Sequence, residues 1–367
     1  MPTPAAIAAR TSEPVSLQRL LIVRLGAMGD IIHTLPAVAA LRTAFPNTTI
    51  GWVVEERWAE LLRTSSASPS GPRSPERPLV DNIHTVNTKT WRTSMASAQT
   101  WKQITQAIGE VRNVQYEVAV DFQGAIRSAM IARTSGADVI YGFAQPRETP
   151  ARMFYTRRVA ARGTHIVEQN LSLTEEVAGR ALPTPEVVLP RNEGAEMECA
   201  HRLEEGKIEK FALLNPGAGW GAKRWPVEHY GQVAREVAKL GLKPLINYGP
   251  GEEDLAKSVQ ETSGGAAETM PSSLTQLIAL TRRASLFIGG DTGPMHLAAA
   301  LGVPVVAIFG PTDPARNGPF GTKSIVLRSP SSQTSHKRRP QPNEGLLEIT
   351  ADQVISAARQ LLENSGG

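Results

Sequence analysis

The chain has 367 residues, 41% of them hydrophobic and 20% charged, which suits about two domains with full cores and is too polar for a membrane protein. The net charge of +4 fits anionic ligands but argues against nucleic acid, which would ask for a clustered basic face. A lone cysteine, Cys199, excludes a disulfide framework or a cysteine metal cluster within the chain and fits the cytosol.

Residues 1–18 read as a disordered lead-in, because "MPTPAAIAARTSEPVS" lacks the charged start and apolar core of a secretory signal. Apolar runs then predict strands at 19–24, 49–54, 83–86 and 116–121, separated by helical patterns near 31–44, 56–63, 96–112 and 124–134. This rhythm implies βαβ units and a parallel sheet. Pro36 is expected to kink or restart its helix. Residues 64–78, "TSSASPSGPRSPERP", are too rich in serine and proline to pack a core and are expected to form a mobile surface loop. A helix near 165–180 and the stretch "ALPTPEVVLPR" lead to a domain junction at 183–207. The rhythm then restarts, with strands at 210–215, 243–247, 285–289 and 304–309 and helices at 227–240, 252–260, 273–283 and 294–301. Residues 329–345 form a second loop, whose His336-Lys337-Arg338-Arg339 cluster reads as a solvated patch, with a polyanion or lipid contact as the alternative. A last helix, 350–363, is expected to pack back on the N-terminal domain.

The fold class is thus α/β, with two doubly wound domains, 19–182 and 208–367. Ligands of such sheets bind beyond the carboxyl ends of the strands, and three segments there carry chemistry. In "RLGAMGDIIHTLPAV" Gly26 and Gly29 permit a tight turn, and Asp30 either caps the following helix or faces the cleft. His33 is either a core histidine or lines the cleft beside it. In "LLNPGAGWGAKRWP" the loop Gly217-Ala218-Gly219, followed by Lys223, makes an anion cradle without Walker spacing, and Trp225-Pro226 seals the loop. In "LFIGGDTGPMHLAAALGVP" Asp291, Thr292, Gly293 and His296 sit where a strand turns into a helix. Thr292 is placed to cap that helix, whose free amides suit a phosphate.

These segments, with "WVVEERWAELL", "DFQGAIRSA", "AKRWP" and "FGPTDP", resemble the heptosyltransferases of glycosyltransferase family nine over most of residues 19–327. The likeness is greatest to the branch that adds the first heptose of the lipopolysaccharide inner core. The resemblance implies a GT-B fold, with two Rossmann-like domains facing across a cleft, the first for the acceptor and the second for the nucleotide sugar. It implies an inverting, metal-independent transfer of L-glycero-D-manno-heptose from ADP-heptose to a Kdo sugar on lipid A, with no cofactor. Asp30 matches the family's base, Lys223 its lysine on the donor diphosphate, and Asp291, Thr292, Gly293 and His296 its donor motif, with Glu252 a candidate for the ribose hydroxyls. Gly29, His33, Arg92, Gln123, Arg127 and Arg147 fall to the acceptor side, where the arginines can pair with carboxylate or phosphates; the alternative is exposed surface arginines. A lipid-anchored acceptor and a basic chain together imply a cytoplasmic monomer that docks on the anionic face of the inner membrane.

Rival readings are weaker. A nicotinamide dehydrogenase needs G-x-G-x-x-G after the first strand, where this chain has G-A-M-G-D. A non-catalytic nucleotide-sugar binder has no need of both Asp30 and Lys223. Another heptosyltransferase of the same family, extending the core or using a different sugar, is the closest alternative.

Overall fold

The computed structural model describes residues 17–335 and 341–363. The expected lead-in lies outside these up to residue 16, as does the basic cluster at 336–339. Leu17 is not part of a loose lead-in: it is buried in the core.

The N-terminal unit runs Arg19–Val23 (β1), Met28–Ile32 (α1), Leu35–Ala44 (α2), Thr49–Glu55 (β2), Asn82–Val86 (β3), Thr88–Thr93 (α3), Ala98–Asn113 (α4), Val118–Asp121 (β4), Ile126–Thr134 (α5), Val139–Phe143 (β5), Arg157–Val159 (β6) and Ile166–Ala178 (α6). Its strands are all parallel, in the order β3-β2-β1-β4-β5-β6. That is the doubly wound order of a Rossmann-like domain. β1 shows why: Leu20 and Ile22 enter the core on one face, Leu21 and Val23 a second core on the other. The helix expected at 31–44 is two helices, broken at His33-Thr34. Pro36 sits in the first turn of α2, where its missing N–H costs nothing.

Residues 64–78 correct the expectation of a mobile loop. Arg77 is buried and donates to the Ser68 and Pro72 carbonyls, and Glu76 accepts from Thr64 and Ser66. Polar side chains tie this segment down without an apolar core of its own.

The C-terminal unit runs Glu193–Glu205 (α7), Phe211–Asn215 (β7), Val227–Lys239 (α8), Lys243–Ile246 (β8), Glu253–Thr262 (α9), Glu268–Thr269 (β9), Leu274–Thr281 (α10), Leu286–Gly290 (β10), Gly293–Ala300 (α11), Val305–Phe309 (β11), Pro314–Asn317 (α12), Ser324–Arg328 (β12), Glu344–Leu347 (α13) and Ala351–Glu363 (α14). Its parallel order, β12-β11-β10-β7-β8-β9, repeats that of the first sheet. Two expectations change here. The second half of the 183–207 junction is α7, held to the C-terminal unit by Glu196, which pairs with Arg282 at 2.7 Å and with Arg283. And α14 does not pack back on the N-terminal domain: Val354, Ile355, Ala358 and Leu361 bury against the C-terminal sheet and α8, completing that core.

The two units meet directly. α1 packs on α11, and one apolar cluster runs through both units. Glu60 accepts from the Thr275 amide at 3.2 Å and hydroxyl at 2.6 Å, and the His165 imidazole lies 3.1 Å from the Gly318 carbonyl. Among the described residues no helix is long and apolar enough to cross a membrane.

Candidate active site

The turn after β1 is held from below. Arg24 is buried, with Nη1 donating to the Phe122 carbonyl at 2.5 Å and Nη2 paired with Asp30 Oδ1 at 2.8 Å. Asp30 is the third residue of α1, and its Oδ2 accepts the Ala27 amide at 2.9 Å. The helix begins after Ala27, so Asp30 is not its N-cap; it reaches back to the residue that is. Its side chain is 40% exposed, so one carboxylate is both anchored by a buried guanidinium and open to solvent. Sequence reading missed Arg24, because its partner carbonyl is 98 residues away.

Across the interface, Asp291 directly follows β10 and gathers three partners. Lys223 Nζ lies 2.5 Å from Oδ2, the Thr312 hydroxyl donates to the same oxygen at 2.6 Å, and His296 Nε2 is 3.1 Å from Oδ1. Burial alone would raise the Asp291 carboxyl; the His296 hydrogen bond and the Lys223 charge outweigh it and hold it well below the usual carboxylate range. Asp291 therefore stays charged and fixes Lys223 beside the first turn of α11. Thr292 occupies the N-cap position, but its hydroxyl donates back to the Gly290 carbonyl at 3.3 Å and does not cap. The α11 amides are thus left unserved by that side chain.

The glycine loop joins the same edge. A Cβ on Gly217 would lie 2.3 Å from Glu252 Oε2, so the glycine lets the loop run against that carboxylate without displacing it. Asn215 donates to the Gly217 carbonyl at 3.0 Å and accepts from Asn247 at 3.0 Å, a buried brace that the motif reading did not include. Ala218 is buried, Gly219 is exposed, and Trp225 seals the loop through its indole N–H to Ile349.

The acceptor-side candidates divide. Gly29 is pressed against the C-terminal unit: a Cβ there would lie 2.5 Å from His296 Cδ2. His33 is buried, its ring 4.2 Å from His296 and 5.5 Å from His165, so it packs the domain interface and does not line an open cleft. Burial, then the neighbouring His296 and His165, push the His33 imidazole well below its ordinary value. Gln123 is also buried, its side-chain oxygen taken by the Leu25 amide at 2.9 Å; it braces the β1–α1 turn. Arg92, Arg127 and Arg147 are exposed, at the carboxyl ends of β3, β4 and β5. Beneath them Asp121, fully buried, accepts from Tyr155, Ser128 and the Gln123 and Gly124 amides, which shapes the loop that carries Arg127. Among the described residues no group of three or more His, Cys, Asp or Glu is arranged to hold a metal ion.

Comparison with known proteins gives this edge a context. The sequence profile described as glycosyltransferase family 9 (heptosyltransferase) matches residues 104–347. The chain belongs to glycosyltransferase family 9. Lipopolysaccharide heptosyltransferase 1 of Escherichia coli K12 is 30% identical over 85% of this chain and 94% of its own length. Its Pseudomonas aeruginosa counterpart is 30% identical over 85% of this chain and 84% of its own. Among solved structures, E. coli heptosyltransferase WaaC with ADP superposes with a TM-score of 0.74 at 26% identity, covering 95% of this chain and 99% of that one. The two facing doubly wound units of this glycosyltransferase are the GT-B fold.

A group-transferring enzyme of this architecture needs a base for the acceptor and positive charge for the leaving group. Here the α1–α11 contact brings the anchored carboxylate's helix and the lysine-bearing edge together from opposite domains.

Proposed function

We propose that the enzyme transfers L-glycero-D-manno-heptose from ADP-heptose to a Kdo sugar of the lipopolysaccharide inner core, with inversion and without a metal. The observation that carries this reading is the direct packing of α1 on α11, each at the carboxyl end of its own sheet: Gly29, next to Asp30, abuts His296, which holds Asp291. The donor named with WaaC in a second complex, ADP-2-deoxy-2-fluoro heptose, supports the choice of sugar nucleotide. In this mechanism the acceptor hydroxyl oxygen attacks the anomeric carbon and Asp30 takes its proton. The bond from that carbon to the diphosphate oxygen breaks, and ADP leaves with the electron pair. Lys223 and the first amides of α11 meet the charge that develops on the diphosphate. Glu252, beside the glycine loop, is assigned to the ribose hydroxyls, and Arg92, Arg127 and Arg147 to the acceptor's carboxylate and phosphates. The enzyme works as a monomer at the anionic cytoplasmic face of the inner membrane.

The test is incubation of the purified chain with ADP-heptose, other nucleotide sugars and Kdo-lipid A acceptors, with mass and anomeric analysis of products, in EDTA and without it. One heptose added to Kdo with inverted configuration, at equal rate in EDTA, is the expected result. Transfer only onto an acceptor that already carries heptose would move the enzyme to a later step. Loss of activity in EDTA, restored by magnesium or manganese, would overturn the metal-independent mechanism.

A further inference from the structure

The acceptor side of the N-terminal unit carries an apolar rim, with Lys89 and Lys102, that the chemistry above leaves unused. The stripe Trp101-Ile104-Ile108-Val111 of α4 starts buried at Val111 and ends half-exposed at Trp101, in the first turn of the helix. Among the described residues ten large apolar side chains are exposed, and four of them fall here: Met95 at 50%, Trp101 at 50%, Ile126 at 37% and Met130 at 49%. They belong to one surface. Trp101 Nε1 donates to the Met95 carbonyl at 2.9 Å, α4 packs on both α3 and α5, and Arg127 reaches Thr88 at the start of α3 at 3.4 Å. Ile126 and Met130 open α5, which starts at the carboxyl end of β4, so the surface lies along the mouth of the cleft.

Charge accompanies the apolar groups. Lys89 and Lys102 are exposed on this rim, beside the acceptor-assigned Arg92, Arg127 and Arg147, which are exposed as well. The acids beside them are engaged: Glu148 accepts the Ile126 amide at 2.8 Å, and the buried Glu55 accepts the Thr88 hydroxyl. Residues 88–160 hold ten Lys and Arg against five Asp and Glu, so this segment's excess of five is larger than the whole chain's excess of four. Of those five acids Asp121 is buried, and Glu110, Glu117 and Asp138 lie toward the opposite end of α4, β4 and β5.

We propose that this rim is the surface by which the enzyme docks on an anionic lipid bilayer, with Trp101, Met95 and Met130 entering the interface and Lys89 and Lys102 meeting lipid phosphates. The inference rests on the proposed function for its purpose, since a docked rim would present the cleft mouth to a lipid-borne acceptor. Amphipathic aromatic and long apolar side chains flanked by Lys and Arg are the composition that partitions into an interface.

The experiment uses the full chain with phosphatidylglycerol-containing and pure phosphatidylcholine vesicles. Flotation gives the partition, and lipids with brominated acyl chains report insertion by quenching tryptophan. The parent is expected to float with anionic vesicles, to be released by salt, and to be quenched. Lys89→Glu/Lys102→Glu removes two charges, each worth about fivefold in binding, and so lowers the partition by at least about 25-fold. Trp101→Ser/Met130→Ser abolishes quenching, while the control Leu240→Ser, at an exposed apolar site on the C-terminal unit, changes neither readout. Both rim variants keep the parent's transfer to a Kdo acceptor stripped of its acyl chains, which also shows that they fold. Rim variants that float and quench like the parent, or a parent that binds neutral vesicles equally well, would overturn the docking surface. A parent that transfers nothing to the stripped acceptor would instead overturn the proposed function, and the vesicle result would still judge the rim.

Discussion

Replacing Asp30 by asparagine tests the proposed base against its structural duties. Asparagine keeps one oxygen, enough for the Ala27 amide, but it replaces the oxygen that meets Arg24 by an amide donor and removes the charge that faces the buried guanidinium. Arg24 retains its bond to the Phe122 carbonyl, while its Nε is buried without a partner. Exposed ion pairs contribute about 0.2–1 kcal/mol. Breaking a buried pair costs about 3–5 kcal/mol. Asp30 is 40% exposed and Arg24 only 7%, so water reaches one partner and the loss lies between these limits, about 1–2 kcal/mol. In a chain of this size that lowers the melting temperature by roughly 1–3 °C. The catalytic effect is expected to be much larger, a fall in kcat of about 10²–10⁴. Binding of ADP-heptose should stay near that of the parent, because the donor edge is built by the other domain. Thermal melting, donor titration and steady-state transfer to a deacylated acceptor separate these terms. An Asp30→Asn protein that melts a few degrees lower yet transfers sugar within a few-fold of the parent would refute the base and leave Asp30 as an anchor for Arg24.

Two further outcomes follow from the geometry. Lys223→Ala removes the charge partner of the leaving diphosphate; a charged hydrogen bond of about 1.5–3 kcal/mol predicts about 10- to 150-fold weaker ADP binding by calorimetry, with turnover slowed as well. Unchanged binding and turnover would remove Lys223 from the donor site. Stability should also fall with acid: burial holds His33 well below its ordinary value and lowers His84 to about 4, so both bind protons in the unfolded chain but not in the folded one as pH drops below about 6.5. Their contribution is fully present above that pH and is lost as the pH falls through it, which denaturant titration from about pH 7.5 to 5.5 reads. His33→Asn should reduce this loss, and a flat profile would refute the burial argument.

The parts of this protein legible in the sequence are those set by local pattern. Long apolar runs such as Leu20–Val23 and Phe287–Gly289 announced buried parallel strands, and Gly-Gly-Asp-Thr-Gly-Pro announced a turn that opens a helix at a sheet edge. Four strands escaped: β6, with three residues, and β9, with two, are too brief for periodicity to register, and the five-residue β5 and β12 went unread as well. Motif spacing likewise pointed to Asp30, Lys223, Asp291 and His296, because each follows the carboxyl end of a strand within eight residues.

What those side chains do was decided by partners remote in the chain. Gln123, placed on the acceptor side by resemblance, became a buried brace, because β4 lies beside β1 and offers it the Leu25 amide. For His33 the sequence leaves a core place and a cleft place open, and interface packing decided it, because α11 of the other domain covers it. Arg24 looks like the polar end of a strand, yet it anchors Asp30 from beneath only because the Phe122 carbonyl lies within its reach. Arg77 and Glu76 order a segment whose composition alone suggests none. The physical reason is common to all four. Backbone preference and apolar periodicity act over a few residues and can be read in one dimension. Desolvation and hydrogen-bond partnership depend on which surfaces close over a group, and that is known only once the two sheets are packed.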